Sequence, residues 1–317
     1  MPSPEHSDAP GVSFVVPVYN KRPFLAAMVA ALAGQAGEFE CEFIFVDDGS
    51  TDGSGDALAA LIAGWANARI LSRPNGGPSL ATNMGLAAAR FPLIKLVDAD
   101  DVLLPGTTAM LRGAMLRHPD AVLAFGAGEP YRSSEEALAR LRAPQPEAPA
   151  PAAPFDALPG LLRRCEINPS LCLISAAAAR RVRGCDERVF TQDYSLFLRL
   201  AATGPFIRVA APVALCAAEA PGRVNDGGPQ VLHDVNAALF YFLRENAVPR
   251  PMARAAVYRG LRRAWRWTIR REGRRLVNPA LFRLVRAYLS FPRVSLRLLR
   301  QSCAGFALSR QVRIPRG

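Results

Sequence analysis

Apolar and polar positions along the first hundred residues fall into short alternating runs. VSFVVPV (12–18) is a β-branched run closed by Pro17 and a polar turn, a pattern that predicts a buried parallel strand. RPFLAAMVAALAGQ (22–35) follows with Phe24, Met28, Ala31 and Leu32 at helical spacing. CEFIFV (41–46) predicts a second strand, which runs straight into DDGSTDGSG. The next segment sets Leu58, Leu61, Ile62 and Trp65 on one helical face, and ARIL (68–71) is a short third strand. GGPSLATNMGLAAAR (76–90) predicts a turn, Ser79 as a helix cap, and another helix. PLIKLV (92–97) is a fourth strand, and it ends on Asp98, Asp100 and Asp101.

This alternation predicts βαβ units, a mostly parallel sheet and right-handed crossovers, hence an α/β fold. The stretch at 142–160, RAPQPEAPAPAAPFDALPG, is too rich in Pro and Ala for regular core structure and predicts an extended loop before a second half. Beyond it lie apolar stretches at 170–178 and 206–216, a helix expected over 193–202, and mainly helices past 230.

In sheets of this kind, ligands bind outside the carboxyl ends of the strands. Those ends here carry Tyr19-Asn20, DDGS and DADD, so these polar groups are expected to converge. Clustered carboxylates need a counter-charge, which a Mg²⁺ or Mn²⁺ ion would supply while screening a diphosphate. The alternative for DADD is an exposed turn with Asp101 capping a following helix. Asp48, one step past the second strand and beside Gly49, suits a hydrogen bond from a nucleobase edge or a ribose hydroxyl. The alternative is a solvated turn. NGGPSLATN offers backbone amides with Asn75 and Asn83 near a helix start, a setting for anions. The glycine spacings of a P-loop and of a dinucleotide fold are both absent.

Composition narrows the classes. Half of the 317 residues are hydrophobic and 21% are charged, which marks a globular chain. No apolar stretch approaches the roughly 20 residues that span a bilayer. The polar start MPSPEHSDAPG lacks the pattern of a secretion signal, so a cytoplasmic location is expected. The six cysteines have no metal-like spacing and read as small hydrophobes in a reducing compartment. His233 is a candidate ligand or a structural histidine.

The motifs FVVPVYNKRPFL, VDDGSTDGS, NGGPSLATNMGLAAAR and LVDADD occur in this order, followed by GCDERVFTQDYSLFLRLAATG at 184–204. Together, over about residues 12–230, they resemble family 2 glycosyltransferases, which adopt the GT-A fold. The resemblance implies a Rossmann-like, mostly parallel central sheet flanked by helices, and inverting transfer of a sugar from a UDP-, GDP- or dTDP-linked donor to an acceptor hydroxyl. It implies that Pro17, Val18, Tyr19 and Asp48 hold the nucleoside. Asp98 and Asp100 are similar to the pair that touches ribose and metal, with Asp101 adjoining as a second metal ligand. Asp193 matches the catalytic base, a role the chemistry requires independently because the acceptor hydroxyl must lose its proton. Asp193 is also placed to cap the helix it begins. Arg223 would reach the diphosphate. Thr82, Gln192 and Asn225 stand where relatives often carry Arg, Glu and His. The competing readings are a catalytically degenerate nucleotide-sugar binder and a sugar nucleotidyltransferase. The latter would want a glycine-rich loop after the first strand.

Domains are expected as a disordered start (1–11), a GT-A domain (12–235) and a basic, mainly helical C-terminal extension (236–317). Residues 250–317 hold 18 Arg, no Lys and one acid, Glu272. That is +17 against an overall +12, which leaves −5 for residues 1–249. Arg259, Arg262, Arg263, Arg266 and Arg270 recur at helical spacing, with Leu261, Trp265 and Ile269 on another face. Such basic amphipathic helices suit an anionic membrane surface, with Trp265, Trp267 and Tyr288 in the interfacial zone. The expectation is peripheral attachment to the inner face of the cytoplasmic membrane, near a glycan or lipid-linked glycan acceptor. Nucleic acid is disfavoured by the interleaved apolar residues, and a plain helical subdomain with Arg on its solvated faces is the simplest alternative.

Overall fold

The structure, a computed structural model, describes residues 11–35, 39–143, 152–218, 228–272, 279–289, 295–307 and 312–313. The chain opens with β1 (Val12–Val18), α1 (Leu25–Ala33), β2 (Cys41–Asp47), α2 (Ser54–Leu61), β3 (Ala68–Ser72), α3 (Pro78–Ala88) and β4 (Leu93–Leu96). It continues with β5 (Val102–Leu103), α4 (Thr107–Arg117), β6 (Leu123–Tyr131), α5 (Ser134–Arg142), α6 (Leu158–Leu161), β7 (Cys172–Ser175) and α7 (Ala176–Arg181). Then come α8 (Asp193–Ala201), β8 (Phe206–Ala217), α9 (Pro229–Glu245), α10 (Arg250–Glu272), α11 (Pro279–Leu289) and α12 (Ser295–Ala307).

Two compact units form, and they interleave along the chain. The first comprises Met1–Asp156, Ile167–Gly184 and Thr203–Pro221; the second comprises Ala157–Glu166, Cys185–Ala202 and Gly222–Gly317.

The first unit holds an eight-stranded sheet in the order β3-β2-β1-β4-β7-β6-β8-β5. The pairs β1–β2, β1–β4 and β2–β3 are parallel, as the alternating runs predict, and β6–β8 is parallel too. The pairs made by β4–β7, β6–β7 and β5–β8 are antiparallel. Parallel strands covered on both faces bury nearly every side chain, and Phe14, Ile44, Phe45 and Ile94 are fully buried. The 142–160 stretch therefore does not separate two sheets: β7 and β8, beyond it, complete the sheet begun by β1. Residues 144–151 lie outside the described residues. Phe155 bridges to Phe206, and α6 follows at once, so part of the expected loop is regular.

Three local expectations are corrected. α3 starts behind Gly77, with Pro78 at its first turn and Ser79 buried inside the helix, because Pro sets the start two residues early. Leu61, the last residue of α2, is exposed, while Leu58 and Ile62 on either side of it are buried. No helix directly follows Asp101: β5 intervenes, and α4 begins behind Gly106.

In the second unit, α12 packs on α9 and α10, and α8 on α9 and α6. Asn236, fully buried on α9, donates to the Gly260 carbonyl of α10 and to Ser302 of α12, and it accepts from Arg263. Arg263 thus faces inward, a correction to its expected place on the solvated stripe. Arg259, Arg262, Arg266 and Arg270 are exposed as expected.

Candidate active site

The strand ends of the first unit are hydrogen-bonded to one another. Asn20 sits in the left-handed region after β1, and its side-chain oxygen accepts from the Thr51 N–H at 2.8 Å. Its own N–H donates to Ser50, the Lys21 N–H donates to Ser54, and the Arg22 N–H to Asp52. The PVYN turn and the DDGST loop are therefore one structure. Pro17 and Val18 close β1 in register with Val46 and Asp47, while Tyr19 stands exposed next to them. Gly49 has φ +75°, and a Cβ there would sit 2.8 Å from the Asn75 nitrogen. Only glycine fits that approach.

Asp48 explains why the loop after β3 comes so close. Its carboxylate, 3% exposed, accepts from Arg73 and from Asn75 Nδ2 at 3.1 Å. It also accepts from the Gly76 N–H and, at 2.7 Å, from the Gly77 N–H. This carboxylate, expected as a contact to the nucleoside, also holds residues 73–77 in place. Asn75 is exposed at the tip of that loop. Asn83 lies half-buried on α3 against Gly184 (φ +65°), where a Cβ would fall 2.2 Å from the Asn83 side-chain oxygen.

After β4 the three carboxylates diverge. Asp98 is half-buried, and its N–H donates to Ser170. Asp100 is buried and forms an ion pair with Lys21, Nζ to Oδ2 at 2.7 Å; its carbonyl accepts from the Tyr131 hydroxyl at 2.6 Å. Asp101 is 1% exposed and accepts from the Ala217 N–H of β8. Behind them Lys95, inside β4, is fully buried and donates to the carbonyls of Ser170 and Cys172. Burial brings its ammonium down to about 8, opposed by Cys172, Asp101, Cys216 and Asp98. Counter-charge thus comes from two lysines of the chain itself.

Among the described residues no group of three or more His, Cys, Asp or Glu is arranged to hold a metal ion. Asp100, paired with Lys21, is the carboxylate that a hard divalent cation would share with phosphate oxygens and water.

In the second unit Asp193 opens α8, and its Oδ1 accepts from the Tyr194 N–H at 2.7 Å. The preceding residue, Gln192, takes the cap position without a side-chain cap bond. Burial raises the Asp193 carboxyl above the ordinary range; the Tyr194 N–H lowers it, and the negative charge of Asp234 raises it further. Asp234, buried on α9, accepts from the Thr191 N–H at 2.9 Å, from Gln230, and from His233 Nδ1 at 2.8 Å. His233 is thus a structural partner of Asp234. Asp186 is paired with Arg188 and Arg199, which fixes the approach to α8. Against the upward push of burial, those guanidiniums hold its carboxyl low. Arg223 and Asn225 lie outside the described residues.

Lys21, Arg73, Lys95, Tyr131 and Asp234 were not singled out in the sequence. Lys21 adjoins the PVYN motif, which was the available signal. Nothing in the apolar run PLIKLV marks Lys95 as a counter-ion.

Residues 13–159 match the profile of Glycosyl transferase family 2. The glycosyltransferase GlyG of Streptococcus pneumoniae serotype 4 is 39% identical over 93 residues, 29% of this chain and 31% of that protein. A poly(ribitol-phosphate) beta-glucosyltransferase of Bacillus spizizenii is 35% identical over 104 residues, 32% of this chain and 16% of that protein. These matches span under a third of either relative. Among solved structures, S. aureus TarS 1–349 in complex with UDP-GlcNAc aligns with TM-score 0.66 and 15% identity, over 93% of this chain and 89% of that one. The mannosyltransferase PcManGT of Pyrobaculum calidifontis, in complex with GDP-Man and Mn²⁺, aligns with TM-score 0.60 and 17% identity, over 96% and 88%. The fold is that of the GT-A glycosyltransferases, as expected.

Proposed function

We propose that the protein transfers a sugar, with inversion, from a nucleoside diphosphate donor to an acceptor hydroxyl, in the assembly of cell-surface polysaccharide or glycolipid. The observation that carries this reading is the joining of four strand-end loops, through Asp48, Asn20 and the Lys21–Asp100 pair, within a family 2 segment. The UDP-GlcNAc bound by TarS and the GDP-Man bound by PcManGT support a UDP- or GDP-linked sugar within a range that includes dTDP-sugars, and the poly(ribitol-phosphate) glucosyltransferase supports a polymer acceptor within a range that includes a lipid-linked glycan.

In this reading Pro17, Val18 and Tyr19 line the nucleoside, and Asp98 meets the ribose. Asp48 acts through the loop that presents Asn75 and the glycine N–H groups. Asn83, on the helix that follows, is a further donor-side amide, and Arg223 meets the diphosphate. A Mg²⁺ or Mn²⁺ ion held at Asp100, with Asp101 buried behind, would supply positive charge to the leaving diphosphate. The acceptor oxygen bonds to the anomeric carbon as that carbon's bond to the diphosphate oxygen breaks. The electron pair leaves with the nucleoside diphosphate, and the acceptor proton passes to the Asp193 carboxylate. A raised carboxyl suits that step, because a base works best with its pKa near the working pH.

No helix among the described residues is long and apolar enough to cross a membrane. Peripheral attachment to the inner face of the cytoplasmic membrane through the arginine-rich extension belongs to the same reading.

The test is a thermal-shift screen with UDP-, GDP-, dTDP- and CMP-sugars, with and without Mn²⁺, followed by a turnover assay. The correct donor should raise the midpoint by mass action, and more so with the metal. A chain that no donor stabilises and that turns over none would sink the proposal.

A further inference from the structure

The arginine-rich extension does not expose the aromatic residues its sequence singles out. Trp265 and Trp267 are half-buried, and the Trp267 ring lies 6.2 Å from that of buried Phe306. The Tyr288 side chain lies outside the described residues. The large apolar exposure sits on α11, where Phe282 is 66%, Val285 49% and Leu289 76% exposed.

These three recur at steps of three and four residues, so they form one stripe along the helix. The opposite face carries Ala280 and Leu284, both buried, and α11 packs against α10 and α12. The helix is therefore apolar on two opposite faces, and among the described residues only the Ala280–Leu284 face is covered. Arg286, also exposed, stands within the open face, with Arg283 beside it. Exposed arginines continue on the neighbouring helices at 259, 262, 266, 297 and 300.

We infer that α11 is the seat of an anionic lipid bilayer, with Phe282, Val285 and Leu289 entering the interfacial layer and the arginines around them meeting lipid phosphates. A bilayer is the occupant that offers apolar depth and negative charge at the same level. A second copy of this chain would bring another +17 extension against the first, and that repulsion opposes pairing of these faces. A nucleic acid would meet the charge and leave three large apolar side chains in water. The inference rests on the membrane part of the proposed function, and it is independent of donor and acceptor.

The experiment is flotation of the full chain with phosphatidylcholine vesicles, with and without phosphatidylglycerol, at about 0.1 M and about 1 M salt. It compares wild type with the triple variant Phe282→Ser, Val285→Ser, Leu289→Ser. Wild type should float with the anionic vesicles at low salt. The triple variant should lose about tenfold or more of its partitioning, because its apolar anchor is gone while its charge is unchanged. Phe282→Trp gives a second readout, a blue shift of emission on adding anionic vesicles. If the triple variant floats as well as wild type, α11 is not the seat, although attachment by charge stands. If wild type stays with neither vesicle, the membrane reading and the inference fall together. A wild-type dimer that the triple variant disperses, seen by sedimentation velocity, would reassign the face to contact between copies.

Discussion

Asp48 is buried and Asp193 half-buried, and the two carboxylates meet opposite surroundings. Asp48, at the end of β2, is wrapped by Arg73, Asn75 and the N–H groups of Gly76 and Gly77. Asp193, at the start of α8, accepts from the Tyr194 N–H, feels the negative charge of Asp234, and has its carboxyl raised by burial. A carboxylate surrounded by donors organises the chain around it. One short of donors and close to another acid is prepared to take up a proton.

The largest test of the difference is Asp193→Asn. Under the proposed mechanism, transfer should fall by about 10²–10⁴-fold in kcat, while a donor thermal shift should persist. Stability should move the other way. With the folded carboxyl above its unfolded value, the folded state holds the proton more tightly, so wild-type stability falls as pH rises through that window. Asparagine carries no such cost, so the variant should melt higher than wild type above the window. An unchanged turnover would remove Asp193 from the chemistry.

Asp48→Ala should behave as the opposite case. Stripping a buried carboxylate from its partners costs on the order of 3 kcal/mol, readable in urea unfolding. The loss of transfer should follow from a displaced 73–77 loop. Asp48→Asn, which keeps the shape and one acceptor oxygen, should recover part of that stability. If Asp48→Ala unfolds like wild type and loses only donor affinity, its carboxylate faces the nucleoside after all.

Much of this was legible before any coordinates. The runs at 12–18, 41–46, 68–71 and 92–97 are strands in parallel register, and the polar groups of their carboxyl ends do meet in one edge. What stayed hidden are the partners. Lys21 reaches Asp100 across 79 positions and Arg73 reaches Asp48 across 25, and no local periodicity encodes such pairings. Lys95 reads as an interruption in an apolar strand, because its role depends on carbonyls of β7 and its preceding turn. In the extension, helical spacing separates the faces of α10 and α11 but does not say which apolar face neighbouring helices cover. The tryptophans and Phe282 exchange roles on that point alone.

Asp100 falls between the two extremes, with a single lysine as counter-charge, and Lys21→Met tests how exchangeable that partner is. Leaving the buried carboxylate without its cation should cost about 1–3 kcal/mol in urea unfolding without divalent ions. Added Mn²⁺ should restore more of the variant's stability than it adds to wild type, because the ion no longer competes with an ammonium. Equal Mn²⁺ responses would mean that Asp100 does not meet the metal.

The smallest effect expected is also the sharpest probe of the Asp193 environment. Transfer needs that carboxyl ionised, so the rate should rise with pH through its raised value and then level off. Asp234 contributes to the raising by its charge, and Asp234→Asn removes the charge while keeping an acceptor for the Thr191 N–H. The acid limb of the kcat/KM profile should therefore move to lower pH, with the plateau largely kept. A purely structural role for Asp234 would lower the plateau and leave the limb in place, and a limb that moved to higher pH would reverse the electrostatic contrast between Asp193 and Asp48.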